Sequence, residues 1–247
     1  MRVYISACGI GLGHATRSAQ LARYLRERGH EVHISSYGQG LGYLEERRPP
    51  GVSLLEGGRP LIWRQREGGE PDPLSTLVRL PSYALIFLNH VRAEYRNVRE
   101  VEPDVVVSDS RFSAILASLL ADVPAVAILN QPRVLLPGVL GRVPGMQKLA
   151  DLGSGYFWSL SRAVVVPDFP PPFTIGEDHV KGLPSRIASR IEFSGPLIEV
   201  PREPLPRVSP DGRRVILLMI SGPEAERRPL AVSYTHLRAH ETEADLV

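Results

Sequence analysis

Gly9, Gly11 and Gly13 occupy alternate positions directly after Val3-Tyr4-Ile5 and directly before a run with helical periodicity. This junction constrains the chain more than any other feature. A strand that passes through glycines into a helix N-terminus exposes backbone N–H groups at the positive end of the helix dipole, an arrangement suited to phosphate or another anion. It also opens a βαβ unit. Ala15, Ala19 and Ala22 recur at i, i+4 and i+7, and Leu21 and Leu25 widen that apolar face. Arg17, Arg23, Arg26 and Arg28 fall on the solvent side or in the last turn, Gly29 stands at the C′ position, and Val32 and Ile34 start a second strand.

The alternation continues beyond the first unit. Val52 to Leu55 reads as a strand and Leu74 to Val98 as a long helix kinked near Pro81. Val105 to Val107, Ala125 to Leu129 and Ala163 to Val166 read as buried strands, with a helix over Ser113 to Ala121 between the first two. Strands alternating with helices predict an α/β fold, a Rossmann-like parallel sheet with helices on both faces.

Several function classes are excluded by composition. Of 247 residues, 43% are hydrophobic and 23% charged, the proportions of a globular chain with a sizeable core. The net charge of +2, from 29 basic and 27 acidic residues, leaves no electrostatic footprint for nucleic acid. Lys148 and Lys181 are the only lysines, and the arginines are spread along the chain, as codon bias would spread them. Cys8 stands alone, so no disulfide can form within the chain, which fits a reducing compartment. The apolar stretch Phe112 to Leu120 is broken by Asp122 and Pro124 well short of a bilayer-spanning length. Met1-Arg2-Val3 enters a strand with no secretory signal, so a cytoplasmic protein is expected.

The glycine loop departs from the two common nucleotide signatures. In G-x-G-x-x-G the third glycine comes one position later, and the second strand ends Ser35-Ser36-Tyr37 without the acid that would hold a ribose. No Gly-Lys-Ser/Thr follows the loop, so a Walker A motif is absent. His14, at the mouth of the turn beside Thr16 and Arg17, has the residue chemistry of a general base for a sugar hydroxyl. On the same residues, the loop also reads as a tight turn that binds nothing and His14 as a capping or surface histidine.

Gly9 to His14, continued by Ala15-Thr16-Arg17-Ser18 and ending Arg28-Gly29-His30-Glu31-Val32, resembles the opening of GT-B glycosyltransferases. It is most similar to the family 28 branch, which includes the UDP-N-acetylglucosamine transferase of peptidoglycan lipid synthesis, and within it to an uncharacterised archaeal and bacterial subgroup. Pro103 to Asp109, Pro124 to Gln131, Ser194-Gly195-Pro196 and Ile220 to Glu224 extend the resemblance. It lacks the double-glycine opening of the peptidoglycan enzyme's first loop. The resemblance implies two Rossmann-like domains, an N-terminal one for the acceptor and a C-terminal one for a nucleotide sugar, UDP-linked, with no metal or further cofactor.

On that resemblance His14 is the base. Gly9, Gly11, Gly13, Thr16, Arg17, Ser108, Asp109, Arg111, Asn130 and Gln131 line the acceptor or phosphate side, and Ser221, Gly222, Pro223 and Glu224 face the donor. Helix capping for Ser108 and Asp109 and turn chemistry for Asn130 stand beside those assignments. Leu135 to Val143, flanked by Arg133 and Arg142, is apolar enough to touch a membrane carrying a lipid-linked acceptor, or to serve as a lid or core segment.

The division expected is an acceptor-side domain over 1–199, a Pro-rich linker over 200–210, and the start of a truncated donor domain over 211–231. Residues 232–247 follow without apolar periodicity. Val232-Ser233-Tyr234-Thr235-His236-Leu237-Arg238-Ala239-His240-Glu241-Thr242 reads as a translated sequencing-library adapter, an expected disordered tail. The expected function is sugar transfer by the complete protein, with the fragment itself inactive. A sugar-nucleotide epimerase of the same fold and a non-catalytic α/β binding module are the alternatives.

Overall fold

The computed structural model describes residues 1–60, 73–136 and 141–198. The expected linker, the donor-domain start with Ser221 to Glu224, and the tail all lie outside the described residues, as do 137–140 of the apolar loop.

Seven parallel strands form one sheet. In chain order they are β1 (Arg2–Ala7), β2 (Glu31–Ser36), β3 (Ser53–Glu56), β4 (Val105–Asp109), β5 (Ala125–Ile128), β6 (Ala163–Val166) and β7 (Ile191–Phe193), arranged β3-β2-β1-β4-β5-β6-β7. Helices among the described residues include α1 (Gly13–Glu27), α2 (Gly38–Arg47), α3 (Pro73–Val101), α4 (Phe112–Leu120), α5 (Met146–Trp158), α6 (Glu177–Val180) and α7 (Ser185–Ala188). The sheet lies within the compact unit Met1–Leu61 and Tyr83–Glu199.

Alternation of side chains along β1 divides the core in two. Val3 and Ile5 pack with Ala15, Ala19 and Ala22 of α1 and Leu44 of α2. Tyr4 points the other way and packs with Val98 and Val101 of α3, Ala114 and Ile115 of α4, and Trp158 of α5. The alanine stripe read from the sequence is thus the contact face of α1, and its small side chains bring the helix close to the sheet. This is the expected doubly wound α/β architecture with both faces covered.

Some elements are absent from the sequence reading. No element is expected between Ile34 and Val52, yet Gly38–Arg47 is helical: Leu44 anchors it in the core and Gly40 lets it approach Gly9. The α3 helix continues through Pro81 and extends to Val101. Ser108 and Asp109, read as lying just past a strand, are its last two residues.

The order of strands fixes where a ligand can sit. From β1 the chain winds outward through β2 and β3, then returns to place β4 on the other side of β1. Loops leaving β1 and β4 diverge to opposite faces, and a crevice opens at the carboxyl ends of these two strands. The glycine loop leaves one strand there, and Asp109 ends the other.

Candidate active site

The loop after β1 is shaped by two glycines that no other residue could replace without strain. A Cβ on Gly9 would stand 1.9 Å from the Tyr37 carbonyl oxygen, because the start of α2 crosses directly over it. Gly11 has φ +72°, in the left-handed region. Gly13 differs: a Cβ there meets nothing within 4 Å, so its backbone faces open space. It is the first residue of α1, whose N-cap Leu12 makes no side-chain capping bond and whose first turn holds no acid. The end of the helix dipole is therefore uncapped by side chains and open to approach.

His14 follows, one residue into the helix. The β1–β4 register places Ala7 opposite Asp109, and the Cys8 N–H donates to the Asp109 carbonyl at 3.1 Å. The Asp109 carboxylate thereby lies beneath the first turn of α1. His14 Nδ1 stands 2.8 Å from Asp109 Oδ1. Arg17 donates from Nε to Oδ2 at 2.9 Å and from a terminal nitrogen to Oδ1, and Ser18 Oγ donates to Oδ2 at 3.3 Å.

The charge state of this cluster follows from those bonds. Asp109 has no solvent-exposed side-chain surface. Burial pushes its carboxyl upward, but hydrogen bonds from His14 and Arg17, together with their charges, outweigh burial and hold it below the ordinary carboxylate range. An ionised carboxylate only accepts, so in this contact Nδ1 of His14 is the donor, and in a neutral ring Nε2 then carries the lone pair. A terminal nitrogen of Arg17 also lies 3.1 Å from Nδ1. The His14 side chain retains 24% of its exposure. A buried anion thus orients a ring whose other nitrogen is a free acceptor, the arrangement of a general base with its orienting partner.

The remaining residues singled out from sequence separate into two groups. Asn130, exposed after β5, accepts from Arg17 through Oδ1 and so belongs to the cluster. Gln131 is exposed beside it. Thr16 turns its hydroxyl back onto the Leu12 and Gly13 carbonyls, both at 3.0 Å. Ser108 is buried, accepting from the Arg111 N–H at 3.2 Å and donating to the Arg111 carbonyl at 2.6 Å. It pins the turn into α4, whose N-cap is Arg111.

Arg111 departs from its expected place on the ligand side. Its side chain is 2% exposed, pairing with Glu94 through one terminal nitrogen and donating from the other to the Gly57 carbonyl at 2.7 Å. The guanidinium points into the fold because α3 supplies a buried carboxylate to receive it.

Sequence reading missed two features. One is Asp109 as the partner of His14, for which the signal was an acid closing a run of buried β residues. The other is Glu94, also fully buried, a carboxylate one helical turn before Val98 on the apolar face of α3. Among the described residues, no group of three or more His, Cys, Asp and Glu side chains could hold a metal ion, and no helix is long and apolar enough to cross a membrane.

Comparison with known proteins bears on the family and the fold. Residues 1–137 match the family described as glycosyl transferase family 1. An uncharacterised glycosyltransferase of Methanosarcina acetivorans is 27% identical over 229 residues, covering 89% of this chain and 56% of the relative. A second from the same organism is 32% identical over 205 residues, covering 80% of this chain and 50% of the relative. The chain therefore spans about half the length of the curated relatives it matches. Among solved structures, a UDP-glucosyltransferase from Polygonum tinctorium superposes with a TM-score of 0.54 at 13% identity, covering 81% of this chain and 52% of that one. That likeness shows a shared fold, the Rossmann-like half of a GT-B architecture.

Proposed function

The chain belongs to glycosyl transferase family 1, and on that premise we propose that the complete protein transfers a sugar from a nucleotide sugar, UDP-linked, to an acceptor hydroxyl held at the carboxyl ends of β1, β4 and β5. The observation that carries this reading is the 2.8 Å contact between His14 Nδ1 and the fully buried Asp109 carboxylate. It leaves Nε2 as a base at the mouth of the topological switch point.

The chemistry follows from the roles of the groups. The acceptor O–H gives its proton to His14 Nε2 as its oxygen attacks the anomeric carbon. The bond from that carbon to the diphosphate oxygen breaks, and the nucleoside diphosphate leaves with the electron pair. Asp109 balances the imidazolium formed in this step, and attack from the face opposite the leaving group inverts the anomeric centre. The open backbone of Gly11 and Gly13 at the α1 N-terminus receives acceptor oxygens or an acceptor phosphate. Ser221, Gly222, Pro223 and Glu224 are assigned to the donor diphosphate in the second domain. The apolar segment around Leu135, with Arg133 and Arg142, is where a lipid-linked acceptor would meet a membrane surface.

His14→Ala, made in the protein carrying its whole donor domain, tests the base. Sugar transfer is expected to fall by about 10²–10⁴-fold, with binding of the nucleotide sugar retained. Turnover equal to wild type removes His14 from the chemistry. Donor turnover that needs no acceptor would turn the assignment towards epimerisation.

A further inference from the structure

We propose that Arg17 is a positioning residue that locks the Asp109–His14 pair in its base-competent arrangement, rather than a ligand for phosphate; this rests on the reading of His14 as the base. His14 and Arg17 are three residues apart on α1, so they emerge on the same face of one helical turn. Both reach the same carboxylate. Arg17 grips both oxygens of Asp109, Nε to Oδ2 at 2.9 Å and a terminal nitrogen to Oδ1, and its remaining nitrogen donates to Asn130 Oδ1. All three guanidinium nitrogens are engaged, the one on Oδ1 also standing 3.1 Å from His14 Nδ1, and the side chain is 11% exposed.

This engagement argues against a phosphate role. To bind a ligand anion with its fork, Arg17 would have to release Asp109, leaving a wholly buried carboxylate without its principal cation. The same bonds give the arginine a different task. Held by the Arg17 fork, the Asp109 carboxylate presents Oδ1 to His14 as an acceptor, so the ring meets it with a protonated Nδ1. With Oδ2 held by Arg17 and Ser18, and Oδ1 shared between Arg17 and His14, the carboxylate cannot rotate away from the ring. The bond to Asn130 carries the clamp across from the end of β4 to the loop after β5. A lysine would supply the charge at a single point, without a fork that spans Asp109 and Asn130.

Arg17→Lys and Arg17→Ala separate these roles by two readouts. In the complete enzyme both variants should lower kcat by roughly 10–100-fold, the scale of a misplaced catalytic group, while KM for donor and acceptor stays within about twofold. In the 247-residue chain, ring ¹⁵N shifts of His14 should report the Nδ1–H tautomer in wild type and a mixture of tautomers in both variants. A raised KM with kcat intact would make Arg17 a ligand-binding residue and overturn the proposal. So would a single Nδ1–H tautomer in the folded fraction of Arg17→Lys, or a loss of kcat that matches the unfolded fraction in a thermal melt. Should Arg17→Ala fail to fold, Asn130→Ala removes the outer end of the clamp and should give a smaller fall in kcat with the same tautomer mixing. If His14→Ala leaves turnover unchanged, the base reading fails separately. The ring tautomer then still decides whether Arg17 holds the pair.

Discussion

Asp109 and Glu94 are two carboxylates without solvent exposure, each gripped by an arginine, and they serve different ends. Around Glu94 every partner is enclosed. Tyr4 Oη donates to it at 2.7 Å and Ser35 Oγ at 3.1 Å, Arg111 pairs with it, and Asn97 donates to Tyr4 Oη at 3.1 Å and to the Glu56 carbonyl at 2.9 Å. Burial, reinforced by the Glu94 charge, pushes the Tyr4 phenol well above its ordinary range, so it stays a neutral donor. Around Asp109 one partner is a histidine whose ring reaches solvent. A buried ion pair alone therefore does not mark an active site. What distinguishes the proposed active site is a titratable partner with one nitrogen in the pair and the ring reaching solvent.

Removing each carboxylate tests that distinction, and the largest effect is expected at Asp109. Asp109→Asn should lower sugar transfer by on the order of 10³-fold, because an amide no longer dictates the ring tautomer or balances an imidazolium. The assay is steady-state transfer by the complete enzyme, and a loss under tenfold would return Asp109 to a structural role. Glu94→Ala should instead act on folding. It strands the Arg111 guanidinium inside the protein, at a cost of about 3–5 kcal/mol. Denaturant unfolding reads this directly. An Asp109→Asn protein that unfolds as easily as Glu94→Ala, with normal turnover per folded molecule, would erase the contrast.

The parts of this contrast differ in how visible they are along the chain. The glycine loop, His14 and the buried run that leads into Asp109 are local signals, and each could be read from adjacent residues. The parallel sheet was legible for the same reason, since β-branched runs and an alanine stripe are periodic within a short window. The pairing of His14 with Asp109 spans 95 positions and depends on β4 lying beside β1, which is a matter of strand order rather than residue type. Arg111 illustrates the converse failure. At a strand's carboxyl end an arginine suits an anion, but the turn pinned by Ser108 and the acid on α3 draw it inward. The α2 helix escaped because glycines normally disfavour helices, and here one of them is required by the close passage of Gly9.

A smaller effect, and one that sharpens the electrostatic side, lies in acid. The Asp109 carboxyl is held below its ordinary value, so on acidification the unfolded chain takes up this proton first, near pH ~3.9. The stability it contributes is complete above that ordinary value and is lost as pH falls through the lowered native one. Unfolding free energy measured from about pH 6 down to about pH 2.5 should decline more steeply for wild type than for Asp109→Asn. Parallel curves would show that the Arg17 and His14 bonds do not offset burial.

The smallest effect separates the two ends of the glycine loop. At Gly9 the neighbouring backbone leaves no room for a side chain, so its identity is explained by packing alone. At Gly13 nothing lies within 4 Å of a Cβ, and the residue does not have the left-handed backbone of Gly11. If folding were the only demand, alanine would serve better there, since it reduces the freedom of the unfolded chain and favours helix, a gain of about 0.4–1 kcal/mol. Gly13→Ala is therefore expected to raise stability by that amount. Its methyl group would at the same time stand in the open space over the α1 N-terminus, where the acceptor is assigned, so KM for the acceptor should rise severalfold with little change in kcat. A variant that is more stable and binds acceptor normally would confine the ligand to the His14 side of the loop. One that gains stability while losing acceptor affinity would show that the glycine is kept for the ligand's approach and not for the turn.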